Sequence, residues 1–91
     1  MEHLTQHAKR RSAQRSISEA AIDLVLDYGD VERVNGADSY FFNHRSKRRL
    51  RVELGRDGFR RVERDLSIYA VVGDDNRVIT VAWRRLRLRR R

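Results

Sequence analysis

The sequence predicts an α+β domain: two N-terminal helices packed on a four-stranded, mainly antiparallel sheet, with a short helical insertion between the second and third strands. Three observations predict it. Two stretches near the N-terminus, about residues 4–14 and 18–29, have helical composition and spacing. Two pairs of β-rich runs each close on a short polar turn. Between those pairs lies a charge-dense stretch, residues 46–66, whose apolar residues recur at helical intervals.

The first helix is weakly apolar, with Leu4, Ala8 and Ala13 as its inward candidates, so shallow burial is expected. The second carries a complete set of signals: Ser18 as N-cap, Ile17 and Ile22 spaced as a hydrophobic staple, an inner face of Ala21, Ile22, Val25 and Leu26, and Gly29 as the stop. In "VERVNGADSYFFNH" the pair Asn35-Gly36 tolerates positive φ and predicts a tight hairpin between residues 31–34 and 38–43. Strand alternation puts Tyr40 and Phe42 on one face and Phe41 on the other. Leu50 and Leu54, then Phe59, Val62 and Leu66, read as two short helices broken near Gly55. Residues 67–72 and 78–84, joined by a Gly-Asp-Asp-Asn loop, form the second hairpin. The expected core is Ile22, Val25, Leu26, Phe41, Ile68, Ala70, Val72, Ile79 and Val81.

A chain of 91 residues makes one domain, taken as residues 1–84, followed by an Arg-rich tail or strand extension over residues 85–91. A domain of this size buries only about 60–65% of its unfolded surface, which leaves little room for an enclosed cofactor. No apolar run approaches the ~20 residues that span a bilayer, and "MEHLTQHAKR" lacks the apolar core of a signal peptide, so a cytoplasmic location without membrane partners is expected. The absence of cysteine excludes disulfides and thiolate metal sites, and the three histidines lack zinc-ligand spacing, so neither metal nor cofactor is expected.

The net charge of +8 is unevenly spread: "RRLRLRRR", residues 84–91, holds six arginines and no acid, and without them only +2 remains. Three constellations could carry chemistry. On a helix His7, Arg11 and Arg15 follow one another at i, i+4, drifting only ~40° per step, so they share a face with Arg10 and Gln14 beside them. Stacked arginines repel, so a negative group is expected to compensate. That group is either internal, from Glu19, Asp23, Glu32 or Asp38 with His7 merely packing at the helix edge, or an external phosphate, with His7 moving a proton near neutral pH. The second constellation, "YFFNHRSKRR", runs aromatics into His44, Arg45 and Arg48, an anion site at a strand end before a helix start. The third is Trp83 with Arg84, Arg85, Arg87 and Arg89, suited to a nucleic-acid backbone, an acidic protein partner or solvent.

The residues "HAKRRSAQRSISEAAIDLVLDYGD" and the closing "IYAVVGDDNRVITVAWR", about half the chain, resemble a small prokaryotic family of domains of unknown function that is similar to the RelE and BrnT ribonuclease toxins of the barnase–EndoU–colicin–RelE class. The resemblance implies a RelE-like fold and a toxin-like, metal-independent endoribonuclease acting by 2′-hydroxyl attack on the adjacent phosphate. Residue by residue it nominates His7, Arg11 and Arg15 as the catalytic face, with Arg84 as a companion. RNA or another nucleic acid is the implied ligand and an acidic antitoxin-like protein a possible partner; the alternative is a non-catalytic binding module of the same fold. Two departures stand out: residues 46–66 look inserted relative to a compact toxin fold, and the last strand ends in Trp83 rather than an obvious Tyr or His acid.

Overall fold

The computed structural model describes residues 4–84. Its elements are α1 (Gln6–Gln14), α2 (Glu19–Tyr28), β1 (Asp30–Val34), β2 (Ala37–Phe41), α3 (His44–Val62), a 3-10 turn (Glu63–Asp65), β3 (Ile68–Val72) and β4 (Val78–Trp83). Local chemistry sets most boundaries. The side chains of Thr5 and Ser18 accept from the amides of Ala8 and Ala21, capping α1 and α2. Asn43 and Ser46 form a reciprocal capping box at the start of α3. Asn35 and Gly36, at φ 50° and 81°, make the tight turn between β1 and β2. Gly55, at φ 78° and ψ 171°, interrupts α3 where the leucine spacing changes, so the insertion is two helical pieces.

The sheet order is β1-β2-β3-β4, every pairing antiparallel, with α3 connecting β2 to β3. The fold is therefore α+β in the predicted order. On β3 the residues Ile68, Ala70 and Val72 are buried and Tyr69 and Val71 are half-buried, so one face meets the helices and the other is open. Ile22, Val25, Leu50 and Val81 are fully buried against that inner face. At about 25 cal/mol per Å² of apolar surface, each such side chain contributes roughly 1.5–3 kcal/mol.

Three expected core positions turn out differently. The register pairs Tyr40 with Ala70 and Phe41 with Tyr69, so Phe41 stands on the open face and Phe42, 3% exposed, fills the core just beyond the strand. Ile79 is 39% exposed, because a register shift at Val71/Val72 sets Val78 opposite Val72 and turns Val78 inward. Leu26 is only half-buried, packed against the core from its edge.

Helix α1 runs along β4, the last strand of the sheet. A parallel bridge joins Leu4 to Val78, and the Thr5 amide donates to the Val78 carbonyl at 3.0 Å. These contacts cover strand groups that would otherwise form an open edge. The inward residues of α1 are Ala8 and Ser12, with Leu4 buried just ahead of the helix, while Ala13 is exposed. Ser12 replaces the expected alanine because its hydroxyl donates to the Ile17 carbonyl at 2.6 Å, closing the turn between α1 and α2. Removing that donor leaves a buried carbonyl unpaired. Ser12→Ala is therefore expected to lower stability by about 1–3 kcal/mol, read as a drop in the denaturant midpoint; an unchanged midpoint would mean water replaces the hydroxyl. Among the described residues no helix is long and apolar enough to cross a membrane.

Candidate nucleic-acid interface

On α1 the structure brings two of the three nominated residues together and diverts the third. His7 is exposed and its Nε2 accepts from Arg11 Nε at 3.3 Å, while Arg11 also donates to Gln14 Oε1 at 3.3 Å. Arg15 is the C-cap residue of α1, and its guanidinium donates to the Val81 carbonyl of β4 at 2.9 Å. The carbonyl of Arg15 in turn accepts from the Trp83 indole at 2.7 Å. Arg15 and Trp83 thus staple the end of α1 to β4 from both directions. The groups that meet the stacked arginines include an imidazole nitrogen, an amide oxygen and a backbone carbonyl.

The second constellation sits on α3. Ser46 and Leu50 are fully buried, so helical periodicity turns His44, Arg45, Arg48 and Arg51 outward, all of them exposed. Asn43, His44, Arg45 and Arg48 line a hollow of about 420 Å³ at the start of the helix. A neighbouring hollow of about 220 Å³ is lined by His44, Lys47, Arg48, Arg51, Phe59 and Glu63, with Arg51 lying over the Phe59 ring at 5.4 Å. The Ser46 amide is already held by the Asn43 side chain, so the cationic side chains supply most of the attraction for an anion here. Arg49, on the flank, faces Asp30 at 3.6 Å. On the opposite hairpin Arg33 contacts both Asp38 and Asp74 at 3.2 Å. These bonds, that to Asp38 foremost, hold its guanidinium above the ordinary arginine pKa and neutralise that end of the sheet.

Arg84 directly follows β4 and reaches the end of β2. Its guanidinium donates to the Phe42 carbonyl at 2.9 Å and stands over the Phe41 ring at 4.4 Å. With Glu32, Ser39, Phe41 and Tyr69 it lines a hollow of about 330 Å³ on the open face of the sheet. The other nominated arginines, Arg85, Arg87 and Arg89, lie outside the described residues. Sequence reasoning missed Tyr69, although the alternation in "IYAVV" separates it from the buried Ile68, Ala70 and Val72. It also took Phe41 for core, and only the register with β3 corrects that.

No curated protein and no solved structure matches the chain. One family model does, over residues 4–83, a span that takes in α1, the α3 segment and β4. The chain therefore belongs to the family described as Domain of unknown function (DUF4258).

Proposed function

We propose that the protein acts on single-stranded RNA as a metal-independent, toxin-like endoribonuclease, with His7 as the proton acceptor and Arg11 as the charge-stabilising group. The observation that carries this reading is the exposed His7–Arg11 contact, in which an imidazole lies against a guanidinium on a helix pinned to the sheet. The contact is long and solvent-facing, so an incoming phosphate competes for Arg11 and leaves Nε2 free. The 2′-hydroxyl of the substrate then gives its proton to Nε2, and its oxygen attacks the adjacent phosphorus. The bond from phosphorus to the 5′-oxygen breaks, and that oxygen takes a proton from solvent. Arg11 offsets the charge that develops on the phosphoryl oxygens. Arg15, committed to Val81, acts as a positioning residue for α1. Purified protein should cut single-stranded RNA in the presence of chelator and leave 2′,3′-cyclic phosphate ends. Intact RNA, or 3′-hydroxyl ends, would overturn the mechanism.

The diversion of Arg15 into the backbone favours a second reading, a non-catalytic module in which the same cationic surface holds RNA or an acidic, antitoxin-like protein. Wherever RNA is the ligand, both readings need phosphate contacts from α3. With a 2′-O-methyl RNA, which has no hydroxyl to attack, the double variant Arg45→Ala, Arg48→Ala should reduce the slope of log affinity against log salt by about 1.4, at ~0.7 per phosphate on a single strand. An unchanged slope would remove α3 from the interface.

A further inference from the structure

The open face of the sheet carries aromatic and cationic side chains that the cleavage chemistry does not use. Phe41 and Tyr69 are cross-strand partners on β2 and β3, so their rings project side by side from the face opposite the helices. Tyr69 borders two hollows: the one of about 330 Å³ shared with Phe41 and Arg84, and a second of about 360 Å³ lined by Val34, Ala37 and Val71. Ser39, two residues from Phe41 on β2 and paired with Val71, borders both hollows. Half-burial of Tyr69 leaves part of the ring uncovered. Beside it, Arg84 presents a flat guanidinium over Phe41 and keeps further N–H donors beyond the one given to Phe42.

We propose that this face is a stacking platform for two consecutive unpaired nucleotides of RNA, one on either side of Tyr69, with the base nearer Phe41 lying against the Arg84 guanidinium. The inference rests on the RNA reading above and assigns it a second subsite. Unpaired bases stack on aromatic rings and on guanidinium planes, whereas bases inside a duplex are already stacked. Charge complementarity favours RNA over a protein occupant. Arg84 binds the Phe42 carbonyl, only two residues before His44, so the platform lies within about 7 Å of chain from the cationic start of α3, where the phosphates of the same strand would run. Glu32, the acid bordering the platform, repels phosphate and accepts from an exocyclic base amine, which favours cytosine, adenine or guanine over uracil in that hollow.

The test uses 2′-O-methyl oligonucleotides carrying one 2-aminopurine, as single strands and as duplexes, with the full chain. Binding of the single strand should quench the fluorescent base, and the duplex should bind with little quenching. Tyr69→Thr, which keeps a strand-forming residue, should weaken single-strand binding about 5- to 100-fold and remove the quenching, while Tyr69→Phe should retain both. Tyr69→Thr binding with wild-type affinity and quenching would overturn the platform and leave RNA binding by α3 standing. If the wild-type chain binds neither strand form, the RNA reading and the platform fall together. A wild-type melting temperature in Tyr69→Thr separates lost stacking from lost fold, and the ring-retaining Tyr69→Phe decides the question where it does not.

Discussion

His7→Ala should slow RNA cleavage by about 10²–10⁴-fold while leaving the melting temperature where it was, because a positioned general base typically contributes that factor. The structural part of the expectation follows from location. His7 is exposed on α1, its contact with Arg11 is long, and alanine is the better helix former. Binding of 2′-O-methyl RNA should change far less than the rate, since the imidazole touches the attacking hydroxyl and the phosphate contacts come from arginines. Arg11→Ala should reduce both, and Arg11→Lys should restore charge without the planar fork, recovering only part of the rate. Cleavage at the wild-type rate by His7→Ala would make this histidine structural and hand the lead to the binding-module reading.

Gly29→Ala should lower the melting temperature by roughly 12–24 °C, the equivalent of about 3 kcal/mol of overpacking in a domain of this size. A Cβ added at Gly29 would stand 2.5 Å from the Val25 carbonyl oxygen and 2.8 Å from that of Phe41, both of them backbone atoms that a rotamer change cannot move. The glycine is thus required by the close approach of α2 to β2 rather than by its dihedrals, which lie at φ −75° and ψ 173°. The second blocking atom belongs to Phe41, whose ring carries Arg84, so any relief by shifting β2 should also disturb the open-face platform. Thermal denaturation followed by circular dichroism reads the first effect. A shift of only a few degrees would mean that the junction yields easily.

The element order and the caps were legible because they rest on short-range chemistry. Ser18 caps α2, Asn35-Gly36 turns the first hairpin and Gly55 breaks α3 wherever the rest of the chain lies. The adjacency of His7 and Arg11 was legible for the same reason, since a spacing of four residues on a helix brings side chains together. Arg15 has the same spacing but another fate. Its partner, Val81, is 66 residues away, and no periodicity within α1 announces that β4 will offer a carbonyl there. The insertion too could be read as helical, yet only packing shows that Leu50 and Phe59 are buried with the main core.

Which aromatic fills the core and which stands free was decided by tertiary structure alone. Alternation places Phe41 opposite to Tyr40 and Phe42 but is silent on which face the helices will cover. Pairing of Tyr40 with Ala70 commits that choice, buries Phe42 and leaves Phe41 beside Tyr69 under Arg84. Ile79 shows the same limit from the other side: a register shift between β3 and β4, invisible to a period-two pattern, gives the buried position to Val78 and leaves isoleucine outside. Local sequence therefore determined what each segment would become and which residues could carry charge and protons. Long-range register, which depends on contacts between residues tens of positions apart, determined which of them share a surface.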